Sequence, residues 1–291
     1  MEYLALRMGC SFLVGCLLSQ GGSLVQWGTR NILAGPSTLG MDGVAILWLM
    51  IFHLIGTISS NLVSEPMILL TGLAFFTWLG WLFSVNLKGK TKYERIVLLG
   101  VTFNLMVGAI FSLGQFLFMA FNIPFPLELW FGHFRYVTSE ALVGLILLQL
   151  FIFMGFRFYF SDLKKYSIGP VMSLNWGLNE SVIFRFSFIS VSLITFIITY
   201  FFGAFSFLAL IFPILARKLW FNRWDLKGEF IIGPVVNGLA LMTLDYFCYE
   251  YPIYGAELPV GLIITAVGAL SLIVVLWSHS KASETLAKPK K

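Results

Sequence analysis

Charge is scarce in this 291-residue chain: Lys, Arg, Asp and Glu make up 11% of it against 58% hydrophobic residues, with a mean hydropathy of +0.88. A soluble domain carries about 25% charged residues, so this chain lacks the polar surface that would wet a water-facing domain of its size. Nearly all of its length must go into membrane-spanning segments and short connections. Cysteine is scarce as well. Cys10, Cys16 and Cys248 are odd in number and without CxxC spacing, which excludes a disulfide framework and a zinc site. Cys10 and Cys16 also fall on different faces of one predicted helix. His53, His133 and His279 lie far apart, and neither HExxH nor GxSxG occurs, so the chemistry of an intramembrane enzyme is missing and no metal site is expected. A lone His53 on an apolar helix reads instead as a hydrogen-bonding partner of a neighbouring helix. No basic region precedes the first apolar run, so Met1 to Gln20 reads as mature helix. Linkers, low-complexity tracts and clear internal repeats are likewise missing, which leaves one membrane domain over 1–280 and a small basic tail over 281–291.

What is present is a series of apolar runs. They fall at Tyr3 to Trp27, Val44 to Ser59, Pro66 to Val85, Ile96 to Phe121, Ala141 to Phe160, Ile183 to Phe202, Phe230 to Phe247 and Leu258 to Trp277. Phe205 to Leu215 is only half a bilayer long, with Gly203 before it and Pro213 inside it as interruptions. If this short run returns the chain to the side it left, nearly all basic clusters share one side: Arg30, the group from Lys88 to Arg95, Arg157 to Lys165, Arg185, Arg217 to Lys227 and the tail. Only Arg7 and Arg135 fall on the other. The positive-inside tendency then predicts an all-α polytopic bundle of about nine crossings, one short and broken, with the N-terminus outside and the C-terminus inside. The formal charge of +5 thus sets orientation, and no nucleic-acid partner is expected.

Four stretches depart from ordinary membrane helix. Irregular, polar backbone survives at membrane depth only when buried in protein or lining a water-filled cavity. The first is QGGSLVQWGTRNILAGPSTLGMDG, 20–43, where Gly21 and Gly22 permit close helix approach and Gln26, Arg30 and Asn31 end a helix in polar groups; it serves a pathway or a helix contact with a turn. The second is the broken pass around Gly203, Pro213 and Arg217, which flanks a pathway or is a kinked core helix. In the third, Asp245 ends one span, and Glu257, Pro259 and Gly261 of ELPVG open the next, with Glu257 favoured by a helix N-terminus. The fourth, SIGPVMSLNWGLNES at 167–181, is too polar to span and suits either the lipid interface or a docked partner.

These stretches resemble the FecCD-type permeases of ABC importers. QGGSLVQWGTRNILAGPSTLGMDGVA is similar to that family's RNPLA-x-P-x-x-LG signature, with Gln26, Arg30, Asn31, Leu33, Ala34, Pro36, Leu39 and Gly40 matching in order. FSFLALIFPILAR resembles its IGFVGLIVPHIAR, and GLALMTLDYFCYEYPIYGAELPVGLIITAVGA resembles the segment that ends in ELPVGI. LELWFGHF and YSIGPVMSLNWGLN extend the likeness over nearly the whole chain. Ile32, Ile214, Tyr249 and Leu270 stand where proline, histidine, arginine and proline are usual, which marks a divergent member. The chain begins where the family's second helix begins, through a misplaced start or a shortened permease.

The resemblance implies a permease subunit of an ATP-driven importer of an iron-siderophore, haem or cobalamin-like chelate in a prokaryotic inner membrane. Two permease subunits, expected as a homodimer, would enclose the pathway, two cytoplasmic ABC ATPases would drive it, and an extracytoplasmic binding protein would deliver cargo. The chain has no GxxxxGK[ST] loop, so ATP would be used by the partner, with no cofactor on this subunit. By the same resemblance Gln26, Arg30, Asn31, Pro36 and Gly40 lie near the pathway or gate. Gly169, Leu174 and Gly177 shape the ATPase-coupling element, and Arg7 docks the binding protein. A permease relic that scaffolds a complex without transport is the alternative.

Overall fold

The computed structural model describes residues 2–58, 64–85, 92–123, 127–168, 178, 180–205, 207–220, 228–253, 257–268 and 270. The described elements are helical: α1 (Glu2–Thr29), α2 (Met41–Ile58), α3 (Glu65–Val85), α4 (Lys92–Ala120), a 3-10 turn (Leu127–Trp130), α5 (Ser139–Ile168), α6 (Glu180–Phe202), α7 (Leu208–Trp220), a π-helical turn (Gly228–Ile232), α8 (Gly233–Glu250) and α9 over 260–268. Among the described residues, six helical stretches are long and apolar enough to cross a membrane. Shorter apolar helices lie at Met41–Thr57 and Leu208–Arg217.

The bundle is built around α1. That helix packs most extensively on α8, then on α7 and α6, with α5 also in contact, while α3 lies on α6 and α2 between α6 and α4. Small residues make the central crossing possible. A Cβ on Gly15 would come within 2.8 Å of the Gly238 Cα, so α1 and α8 meet backbone to backbone. Polar side chains join the helices in place of the hydrophobic effect, which lipid does not supply. Gln149 of α5 donates to the Gln20 side-chain oxygen at 3.0 Å, and Asn237 of α8 donates to the Ser19 hydroxyl at 2.8 Å.

The short pass is present, with one correction. Gly203 does end a helix: it takes a positive φ of 83°, and its N–H closes the last turn on the Thr199 carbonyl at 3.0 Å. Pro213, expected as a second interruption, sits inside α7 without ending it. The proline forfeits one N–H bond, but polar side chains of flanking helices bond neighbouring carbonyls: Gln26 donates to Leu210 O at 3.0 Å and Asn237 to Phe212 O at 3.2 Å. At 13 residues, α7 is roughly 20 Å long, short of the ~30 Å hydrocarbon core.

Candidate functional site

Two polar networks fix the ends of α1. At the end where α1 starts, the Arg7 guanidinium donates from Nε and Nη2 to both oxygens of Asp245 in α8, at 2.9 and 2.8 Å, and from Nη1 to Glu257 at 2.9 Å. The Tyr249 ring lies 4.8 Å below the same cation. The Arg7 and Asp245 side chains are 3% and 2% exposed, so this is an ion triad built inside the bundle. The backbone around it is tied together: Gly261 N–H bonds Gly132 O at 2.8 Å, Gly132 N–H bonds Ala204 O at 2.9 Å, and Ala204 N–H bonds Leu129 O at 3.0 Å. One short ladder thus connects the 3-10 turn, the break after α6 and the start of α9.

At the opposite end, Arg217 of α7 pairs with Glu229 at 3.0 Å and donates to the Gln26 side-chain oxygen. The Glu229 side chain is 1% exposed, and Ser23 and Trp27 of α1 face its carboxylate. Burying a charge without a partner is costly, so Arg217 and Glu229 hold each other in place. Against this network α1 and α7 touch at Gly22, where any Cβ would overlap the Ala209 carbonyl and come within 2.8 Å of Pro213.

The turn after α1 is compact. Asn31 Oδ1 accepts the Leu33 N–H at 2.9 Å, the Thr38 hydroxyl bonds both N–H and C=O of Gly35 at 2.8 Å, and Met41 N–H closes on Pro36 O at 3.0 Å. Gly40 has φ of 73°, and a Cβ there would stand 3.1 Å from Phe103 and 3.2 Å from the Asn104 Cα. The first turn of α2 therefore lies roughly 16 Å along α4 from its start, inside that helix's apolar stretch Gly100–Ala120. Arg30 leaves this turn with its cation over the Tyr166 ring, 4.5 Å from its centroid, and its Nε donating to the Tyr166 hydroxyl at 3.3 Å.

One surface is out of character for a lipid-facing bundle. Among its described side chains α4 is buried along only a thin stripe, Gly100, Val107, Phe111, Gly114 and Phe118. Beside that stripe Asn104, Gly108, Ser112 and Gln115 share a second face, and all are exposed. A carboxamide facing lipid is costly, so such a face calls for water or protein against it. At its foot is a cavity of about 330 Å³ lined by residues that include Asp42, Ile46, Asn104, Gly108, Phe111 and Trp130.

The structure thus gathers the sequence-predicted residues into separate groups. Gln26 and Arg217 meet, and so do Arg7, Asp245 and Glu257; Arg30, Asn31, Pro36 and Gly40 shape or leave the turn between α1 and α2. Pro259 precedes α9, and the Gly261 N–H is committed to Gly132. The Glu257 carboxylate bonds Arg7. A docking role for Arg7 would require this triad to open. Gly169, Leu174 and Gly177 lie outside the described residues. Glu229, Asp42 and the α4 face were not singled out from sequence. Among the described residues no cluster of His, Cys, Asp and Glu could hold a metal ion.

Residues 1–278 match the model of the FecCD transport family. The petrobactin import system permease protein FatD of Bacillus anthracis is 26% identical over 274 residues, covering 92% of this chain and 78% of that protein. A chain from a proposed metal-chelate type ABC transporter, solved in an inward-facing conformation, superposes with a TM-score of 0.72 at 19% identity, covering 94% of this chain and 85% of its own. A chain of PsaBC from Streptococcus pneumoniae, in complex with Fab, does so with a TM-score of 0.57 at 13% identity over 94% and 91%. This chain belongs to the FecCD transport family: it is a multi-pass, non-catalytic permease subunit of an ABC importer, whose ATP is hydrolysed by a separate ATPase.

Proposed function

We propose that this permease carries an iron-siderophore, haem or cobalamin-like chelate across the inner membrane of a prokaryote, along a path bounded on this subunit by the exposed polar face of α4. The observation that carries this reading is the row Asn104, Gly108, Ser112 and Gln115. Two amides at membrane depth fit a water-filled path closed by a second copy of the chain, in a homodimer, better than they fit lipid.

The same reading puts the Arg7 end of the bundle outside and the Arg217 end inside, in keeping with the excess of Lys and Arg on the loops of the latter end. Binding-protein docking then falls at the face of Arg7, Glu257 and Pro259, and ATPase coupling at 167–181. The turn carrying Arg30, Asn31, Pro36 and Gly40 lies at the inner end of the path, where it serves as a gate. Gln26 acts behind that gate as a brace, because it holds α7 rather than facing open space.

Co-purification of the tagged chain in mild detergent tests the assembly. An ABC ATPase is expected to accompany the wild type and to be lost from a Gly169→Glu, Leu174→Glu double variant in the coupling segment. Absence of any ATPase from the wild type would overturn the transport reading in favour of a scaffold without transport.

A further inference from the structure

The C-terminal end of α1 closes in a Schellman turn: Asn31 N–H bonds Gln26 O and Arg30 N–H bonds Trp27 O, both at 3.2 Å. The first residue past the cap of such a turn takes a left-handed backbone, and glycine is its usual occupant. Here it is Arg30, with φ of 51°. An arginine bears a steric cost in that region which glycine does not, so the backbone alone gives no reason for its presence.

The reason lies in what the side chain reaches, which is the last turn of α5. The Arg30 guanidinium stands 4.5 Å from the centroid of the Tyr166 ring, its Nε donates to the Tyr166 hydroxyl at 3.3 Å, and its Nη2 donates to the Tyr166 backbone carbonyl at 3.4 Å. Tyr166 is 1% exposed and immediately precedes the segment 167–181 in the chain. The far end of that segment returns to the same place. Leu178 is buried in one apolar cluster with Tyr166, with Trp27 of α1, and with Ala34 and Leu39 of the turn between α1 and α2. That cluster is distinct from the larger one that holds Val14, Phe76 and Phe196. Coupling between a pushed element and a moving one travels through packed side chains and hydrogen bonds, and both are present between 167–181 and the turn.

We infer that Arg30 and Tyr166 form the link through which the ATPase-coupling segment moves the turn between α1 and α2, with Arg30 as the positioning residue that ties this turn to the end of α5. The inference rests on the coupling segment and the gate proposed above and names the contact that joins them.

The test uses the full chain with Cys10, Cys16 and Cys248 replaced and a single Ser37→Cys in the turn, reconstituted with its ATPase in lipid nanodiscs. The rate of labelling by a water-soluble maleimide is read without nucleotide and after trapping with ATP and vanadate. With Arg30 and Tyr166 in place the two rates are expected to differ severalfold. Arg30→Gly suits the left-handed backbone, so its melting temperature is expected to hold or rise and the ATPase to stay bound, while the difference between the two rates disappears. Tyr166→Leu, which keeps an apolar side chain in the cluster, should lose the difference too, and Tyr166→Phe, which keeps the ring beneath the cation, should retain most of it. A residue that only capped α1 or filled the cluster would shift the melting temperature and leave the difference intact. An undiminished difference in Arg30→Gly or in well-folded Tyr166→Leu, loss of the ATPase from Arg30→Gly, or equal rates with both residues in place would overturn the inference; if Tyr166→Leu does not fold, Arg30→Gly decides alone. Co-purification keeps the two claims apart: no ATPase on the wild type sinks the transport reading, whereas a bound ATPase and a difference that survives Arg30→Gly sink the link alone.

Discussion

α1 and α4 are both apolar enough to cross a membrane, yet 78% of the apolar window of α1 is buried against 17% for α4. The order is the reverse of what a soluble protein would show. The more buried helix is the one with Ser11, Ser19, Gln20, Ser23, Gln26 and Thr29 in its sequence, all buried, whereas α4 turns Leu98, Leu105, Leu113 and Phe116 outward. In lipid an apolar side chain gains little by leaving the surface, so what drives a helix to the centre is polar groups needing partners and small residues allowing contact. α1 has both. On the proposed path the few polar groups exposed on α4 face water rather than lipid, and the burial contrast becomes a functional one.

The contrast breaks most severely if α1 is made unable to approach its neighbours. Gly22→Val drives a side chain into the Ala209 carbonyl and Pro213, and should cost at least about 3 kcal/mol, read as loss of monodisperse protein on size-exclusion chromatography. Next is Arg7→Met, which leaves Asp245 buried without its cation and should destabilise by about 3–5 kcal/mol, seen as a lower melting temperature in detergent. Arg7→Met combined with Asp245→Leu should recover much of that loss, because removing both members of a buried pair is far less costly than removing one. The smallest effect is on α4. Gly108→Ala meets nothing within 4 Å and should stabilise the helix by about 0.5–1 kcal/mol, raising the melting temperature.

Much of this architecture was legible in the sequence because a bilayer demands long apolar runs and basic loops punctuate them. The half-length α7 was found that way, from its brevity and from where its removal would leave Arg217 and the lysine tail. Pro213 was misjudged, since the side chains that support the helix there, Gln26 and Asn237, come from α1 and α8. Arg7 was recognised as unusual, but its partners are 238 and 250 residues away, and Asp245 and Glu257 could each be explained locally as a helix end. Glu229 escaped notice for the same reason: an acid at the start of an apolar run after a basic loop looks like an ordinary helix start. Its burial beneath Arg217 is a tertiary fact. The α4 face was written plainly at i, i+4, i+8 and i+11, yet a lipid-facing helix and a path-lining helix differ there by only a few polar residues.

The most direct test of the central claim compares these two helices in one assay. Single cysteines at Asn104, Gly108, Ser112 and Gln115 of α4, and at Ser19, Ser23 and Gln26 of α1, would be placed in a chain whose Cys10, Cys16 and Cys248 are replaced by serine or alanine. The permease and its ATPase, reconstituted together, would then be exposed to a membrane-impermeant charged thiol reagent. Labelling of the α4 positions with none on α1 is the predicted result, because a charged reagent reaches a water-filled path but neither lipid nor packed interior. Unreactive α4 positions, or labelling of α1 as strong as that of α4, would contradict it.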